Sequence, residues 1–298
     1  MRELPSAGQL LAVDSIPIKV GGCAANVAIN LAKQEIDVDV VGCVGEDPSA
    51  DLIERYLAEE AVRTRIHRLP GQPTSKTVVL LIDGEDRRYV HTFGANEGFS
   101  VSHLEVGWLE GLDLLYLGGI GLLPGVLATE LSDLLKWCND RNILTVVDVV
   151  LPGGQEDYSW ILALMPQIDY FLPNDDEARI LTGDTTPDAM LDSLQKAGAN
   201  SVIISLGENG AAAFDESNRY YCGTYPGEAI DPSGAGDAFA AGFIAAVSKG
   251  ASMPDALRYA SVLGVSSISE IGTTDGVFFR AQAEEFMAQH ELEIKIEN

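Results

Sequence analysis

The segment Asp231-Pro232-Ser233-Gly234-Ala235-Gly236-Asp237 runs straight into a small-residue stretch of helical character that opens at Ala238. Two glycines flanking a small residue let the backbone turn tightly with its N–H groups directed inward, and the helix that follows adds unpaired donors and a positive dipole end. Gly234, Ala235 and Gly236 thus form an anion hole with Asp237 on its rim. There a carboxylate can accept the proton of an attacking hydroxyl while the amides stabilise charge on a transferring phosphoryl group. The alternative is that Asp237 N-caps the helix, and on this heptapeptide alone the cap is the better reading. A helix dipole predicts a depressed carboxylate pKa, so Asp237 would be a weak resting base that acts as the hydroxyl becomes acidic in the transition state.

A second element, Gly21-Gly22-Cys23-Ala24-Ala25-Asn26, opens an apolar helix that runs to about Lys33. A Gly-Gly pair admits a ligand close to the main chain, and Asn26 offers donors and an acceptor to hydroxyl groups, which suits a polyol. A plain glycine turn before a helix is the alternative. Asn174 and Glu177 form an N-x-x-E pair after the strand-like Tyr170–Leu172, at the edge where α/β proteins bind ligands. The pair is compatible with hydrated Mg²⁺ and equally with an acidic helix start. Ser205-Leu206-Gly207-Glu208-Asn209-Gly210 joins two strands, either admitting a nucleotide or making a hairpin turn.

These residues need a scaffold, and the hydrophobic pattern supplies one. Apolar β-branched runs alternate with segments of helical period: Val38–Val44 with Ala50–Ala61, Leu112–Leu117 with Val126–Asn142, and Leu144–Val150 with Trp160–Met165. Tyr170–Leu172, Asp175–Leu181, Pro187–Ala197 and Ser201–Ser205 continue the alternation. The rhythm predicts an α/β fold, a mainly parallel central sheet between helices, followed by a helical C-terminal region. Leu11–Lys19 and Lys76–Thr92 instead alternate at period two, the latter around an Asp83-Gly84 turn signal. Such strands cannot join a helix-covered parallel core without a crossover, so segments 11–20 and 76–93 are expected to pair as a small β lid over the sheet's C-terminal edge.

The chain has 298 residues with 19 Lys or Arg against 45 Asp or Glu, a net charge of −26. Its 46% hydrophobic content is enough for one large core, and a single domain over 1–298 is expected. So acidic a chain has no basic surface for DNA or RNA. The apolar run Ala238–Val247 is far short of a membrane span, and the first residues carry no export signal. Cys23, Cys43, Cys138 and Cys222 are scattered with no zinc spacing and read as reduced, mostly core-filling thiols of a cytoplasmic protein. A Walker-type loop, a zinc H-E-x-x-H helix, a G-x-S-x-G elbow and a kinase H-R-D loop are all absent, and the start of a dinucleotide fingerprint at Gly119-Ile120-Gly121 fails at Pro124.

Taken in order, these elements resemble the ribokinase-like carbohydrate kinases, the PfkB family, over nearly the whole chain. Asp231–Asp237 resembles that family's D-T-T-G-A-G-D signature with Pro232-Ser233 in place of two threonines; Gly21–Asn26 resembles its glycine signature, Asn174/Glu177 its N-x-x-E, and Ser205–Gly210 its T-x-G-x-x-G nucleotide loop. Gly42, Gly45-Glu46-Asp47 and Gly94-Ala95-Asn96 add weaker matches. The resemblance implies transfer of the ATP γ-phosphoryl group to a sugar or sugar-acid hydroxyl, with Asp237 as base and the Gly234–Asp237 amides as anion hole. It implies sugar contacts from Gly21, Gly22, Ala25 and Asn26, and a nucleotide site lined by Asn174, Ser205, Gly207, Gly210 and Ser261. It further implies Mg²⁺ organised by Asn174 and Glu177, a monovalent cation such as K⁺ held by Asp231 and Ser233, and a homodimer formed through the lid. A nucleoside kinase of the same fold and a noncatalytic sugar- or nucleotide-binding regulator are the alternatives. In relatives a hydrophobic first strand and a sugar-gripping aspartate precede a stretch like Leu4–Gly8, so the resemblance places a missing first core strand before Met1. An upstream start codon is preferred over a trimmed N-terminus or a natural variant with another route to substrate, because loss of an interior strand exposes both neighbours.

Overall fold

The computed structural model describes residues 4–82, 88–153 and 157–297. In chain order the elements are α1 (Cys23–Lys33), β1 (Asp39–Val44), α2 (Pro48–Glu59), β2 (Arg63–Arg68), β3 (Lys76–Leu80), β4 (Arg88–Thr92), α3 (Val106–Leu109), β5 (Leu114–Ile120), α4 (Ala128–Asn139), β6 (Leu144–Val149) and α5 (Ser159–Leu162). Then follow β7 (Tyr170–Phe171), α6 (Asp175–Thr182), α7 (Pro187–Lys196), β8 (Val202–Ser205), β9 (Ala211–Phe214), β10 (Arg219–Cys222), α8 (Ala235–Val247), α9 (Met253–Ser267), α10 (Arg280–Gln289) and β11 (Ile294–Glu297).

Seven strands form the main sheet in the order β11-β10-β9-β8-β7-β6-β5. β5 to β8 are parallel neighbours, the arrangement expected of apolar strands joined by helices, whereas β9, β10 and β11 add antiparallel hairpin-type pairings. β1 and β2 pair in parallel as a separate two-stranded sheet, and β3 with β4 forms an antiparallel hairpin. One core, including Leu131, Leu135, Val147, Val149, Phe171 and Leu191, lies between the sheet and α4, α6 and α7. The other, including Val27, Val146, Ile203, Phe243 and Leu263, lies under α1, α8 and α9. A third, smaller cluster around Ile29, Val40 and Leu57 fastens β1 and α2 to α1.

The lid departs from expectation. β3 and β4 form the hairpin, with its Asp83-Gly84 turn signal outside the described residues, but Leu11–Lys19 forms no strand and joins no sheet. Ile16 and Ile18 are more than 80% exposed. Alternation alone does not recruit a partner: a hairpin closes over a short loop, whereas this segment would have to find a strand more than 50 residues away. β9 is the strand expected beyond the Ser205–Gly210 turn, whereas β2 and β10 are not expected from the sequence; in β2 Arg63–Arg68 alternates charged residues on an exposed edge.

Candidate active site

At the N-terminus of α8 the cap is Gly234, which has φ 82° and no side-chain capping bond. A Cβ at this position would lie 2.4 Å from the Thr273 carbonyl oxygen, so only glycine fits against that strand of backbone. The Ala235 amide reaches back to the Pro232 carbonyl at 3.4 Å, while those of Gly236 and Asp237 have no protein acceptor among the described residues. Of the predicted anion hole, then, Ala235 is partly engaged and the Gly236 and Asp237 amides are open.

Asp237 does not cap the helix. Its carboxylate accepts from Asn26 Nδ2 at 2.7 Å and from the Cys23 thiol, and Asn26 Oδ1 in turn accepts from Thr273 Oγ1 at 2.8 Å. Burial pushes the Asp237 carboxyl up to about 6 against the opposing pull of the two donors. The dipole-based expectation of a depressed pKa is therefore overturned, because desolvation of the charged form outweighs the favourable partners. Asn26 is held by α1, whose N-cap is Gly22. Both Gly21 and Gly22 are exposed, with open space where a side chain would project, and Ala25 lies half-buried one residue before Asn26. The glycine signature and the Asp237 turn thus meet across 211 residues of sequence.

Asn174 and Glu177 form a reciprocal capping box at the start of α6: Glu177 N–H donates to Asn174 Oδ1 at 2.9 Å and Asn174 N–H to Glu177 Oε2 at 2.8 Å. Glu177 also accepts the Leu151 amide, and burial raises its carboxyl to about 7. With these oxygens already serving amides, the pair fits a divalent cation held through water rather than by direct ligation; among the described residues no three His, Cys, Asp or Glu converge as a metal cage. Asn174 is bridged in parallel to Ser205, whose amide donates to the Pro173 carbonyl at 3.1 Å. Ser205–Gly210 is the turn between antiparallel β8 and β9, with Gly207 opening its 3-10 turn and the Gly210 carbonyl closing on the Leu206 amide at 2.8 Å. Ser261 is buried on α9 and bonds the Cys222 thiol. Asp231 orients the loop before α8 by accepting Ser233 N–H at 2.9 Å and Gly272 N–H at 3.1 Å, while the buried Ser233 hydroxyl has no partner among the described residues.

The sequence pattern of the pfkB family carbohydrate kinases matches residues 2–278. The chain belongs to the pfkB family. Its members are carbohydrate kinases, and this pfkB chain is one. It is 25% identical over 277 residues to a ribokinase of Lactococcus lactis, spanning 92% of this chain and 88% of the relative. To a 2-dehydro-3-deoxygluconokinase of Bacillus subtilis it is 26% identical over 295 residues, spanning 94% and 90%. An Escherichia coli protein crystallised with ATP and Mg²⁺ shares the ribokinase-like fold, with a TM-score of 0.81 at 22% identity over 95% of this chain and 95% of that one. No helix among the described residues of the pfkB chain is long and apolar enough to cross a membrane.

Several residues at this site went unrecognised in the sequence. Cys23 was read as core filler but touches the Asp237 carboxylate; its place directly after the glycine pair was the available signal. Thr273, which fixes Asn26, stands in a Gly-Thr-Thr stretch with no feature marking it. Asp148, in the apolar strand Leu144–Val149, and Tyr116 both read as parts of core strands.

Proposed function

We propose that this kinase moves the γ-phosphoryl group of MgATP to a sugar hydroxyl, with Asp237 taking the hydroxyl proton. The observation that carries this is the freed Asp237 carboxylate. It is not spent on capping α8, it is held by Asn26 at 2.7 Å, and it stands beside the open amides of Gly236 and Asp237. A base and an anion hole within one turn of backbone are what in-line transfer to an alcohol needs. Gly21, Gly22, Ala25 and Asn26 would receive the acceptor, since the glycines leave the main chain open and Asn26 is already aimed at the base. Asn174, Ser205, Gly207, Gly210 and Ser261 would serve the nucleotide side, with Asn174 and Glu177 holding Mg²⁺ through water. Bound there, Mg²⁺ neutralises phosphate charge. The unpartnered Ser233 hydroxyl beside Asp231 supports a monovalent cation in that loop. The exposed Val78, Tyr89 and Val90 of the hairpin support a homodimer through the lid.

Incubation of the protein with MgATP and a panel of pentoses, hexoses, 2-keto-3-deoxy acids and nucleosides tests this reading, with ADP formation expected for at least one sugar. A nucleoside as the sole productive acceptor assigns the chain to the nucleoside kinases of the fold. Sugars that raise the melting temperature with no ADP formed make it a binding protein.

A further inference from the structure

Asn26 meets the base through an amide whose two ends are chemically opposite. An ionised carboxylate only accepts hydrogen bonds, so the amide serves Asp237 when it presents its NH2 end and repels it when it presents Oδ1. Thr273 decides between the two. Its Oγ1 lies 2.8 Å from Asn26 Oδ1 and 3.4 Å from the Val20 carbonyl oxygen, both of them acceptors. A hydroxyl carries one proton, and the shorter bond directs it to Asn26. Oδ1 is thereby pinned to Thr273 while Nδ2 of the buried Asn26 faces Asp237 Oδ2 at 2.7 Å. Among the described residues no other side chain bonds the Asn26 amide.

The loop that carries Thr273 is fastened on three sides. Gly272 N–H donates to Asp231 Oδ2 at 3.1 Å, tying the loop to the segment before α8. Lys33 of α1 donates through Nζ to the Thr274 carbonyl at 2.5 Å and to that of Val277 at 3.4 Å. Lys19, the residue before Val20, pairs with Asp275 at 2.5 Å. The Thr273 carbonyl oxygen also closes on Gly234, where a Cβ would stand 2.4 Å away. One residue thus touches both halves of the site, its main chain against the turn that ends in Asp237 and its side chain against the helix that carries Asn26. A polar group that orients another is effective only when it is itself held in this way.

We propose that Thr273 is a positioning residue for phosphotransfer: its hydroxyl sets the orientation of the Asn26 amide and, through it, aims the Asp237 carboxylate at the acceptor hydroxyl. This rests on the reading of Asp237 as the base and deepens it.

The test compares the wild type with Thr273→Val, which keeps the shape and removes the hydroxyl, with Thr273→Ala and Thr273→Ser, and with Thr273→Val in an Asn26→Ala background. The readouts are pH–rate profiles with the acceptor that yields ADP and, separately, an infrared titration of the Asp237 carboxyl, taken as the difference from Asp237→Asn. Thr273→Val is expected to lower kcat about 10-fold, the effect of one lost orienting hydrogen bond, with the KM for MgATP unchanged. Its acid limb and its carboxyl titration should both move to higher pH, because the ionised form loses an oriented donor. The other titratable groups that act on Asp237, Cys23 of α1, Tyr116 of β5 and Asp148 of β6, are the same in every variant. Thr273→Ser should restore both readouts, and in the Asn26→Ala background Thr273→Val should add nothing. A Thr273→Val protein with wild-type kcat and pH profile, an equal loss in the Asn26→Ala background, or unfolding of both hydroxyl-free variants overturns the assignment. If ADP forms, Asp237→Asn abolishes it and Thr273→Val matches the wild type, this proposal alone falls. If no acceptor yields ADP yet the carboxyl titrates higher in Thr273→Val, the phosphotransfer reading falls and the orienting role of Thr273 stands.

Discussion

Asp237 illustrates how two local forces compete at one carboxyl group. The dipole of α8 and the donors Asn26 and Cys23 favour the charged form, burial disfavours it, and burial prevails, with the carboxyl pushed up to about 6. A base must be ionised to work, so kcat/KM is expected to fall on the acid side with an apparent pKa near 6, measured as a pH–rate profile at saturating MgATP. Cys23→Ala removes a donor that favours the carboxylate and should move that limb to higher pH, while Cys23→Ser should hold it in place. The same shift has a stability consequence of fixed sign. A folded-state pKa above the unfolded one means that the folded chain binds the proton more tightly, so this contribution is present below about pH 4 and lost as pH rises through about 6. Asp237→Asn is therefore expected to cut turnover by about 10²–10⁴-fold while the melting temperature at pH 7.5 holds or rises; a drop in melting temperature with turnover intact would return Asp237 to a structural role.

Elements set the precision of the site, and their sequences differ in how openly they declare it. α8 and α9 approach so closely that a Cβ on Gly242 would lie 2.8 Å from the Ala260 Cα. Gly242→Val is expected to destabilise the protein by about 1–3 kcal/mol through overpacking, seen as a lower midpoint in urea unfolding, and to displace the turn that presents Asp237. At α6 the capping box and the cation role make separable predictions. Glu177→Gln preserves the cap geometry but removes the charge, so the Mg²⁺ concentration for half-maximal activity should rise with little change in stability. An unchanged metal requirement would leave Glu177 as a cap alone. Helices and parallel strands were legible because their apolar periods are long and their caps explicit, as with Asp47 before α2, Thr186 before α7 and Ser252 before α9. The turn bearing Asp237 and the glycine pair before Asn26 were legible as separate motifs. Their joining was not, because the Asn26–Asp237 bond and the Thr273 prop are long-range contacts that no local pattern encodes. Asp148 was hidden for the opposite reason, since its strand reads as core and only the packing of Val146 reveals which face it shares.

For the whole molecule, the hairpin formed by β3 and β4 projects Val78, Tyr89 and Val90, each more than half exposed, from an acidic body. A dimer built through this lid is expected to appear as twice the chain mass of 31.8 kDa in sedimentation equilibrium and to dissociate in Val90→Lys; a wild-type chain that sediments as a monomer at micromolar concentration removes the dimer. The separation of β1 and β2 from the seven-stranded sheet has a different consequence. Among the described residues these strands share no ladder with β5, and they are tied to the main body by the Ile29–Val40–Leu57 cluster with α1, by Val41 packed against the main core and by Trp108 Nε1 donating to Asp39 Oδ2 at 2.7 Å. Cooperativity should therefore break along that seam. Under native conditions in low denaturant, amides of residues 39–68 are expected to exchange with deuterium through a subglobal opening, at a free energy below that of Leu144–Val149 and Val202–Ser205. Because α1 carries both Asn26 and the mortar of this seam, each such opening would also loosen the grip on the base, making catalysis sensitive to mild urea well before the molecule as a whole gives way.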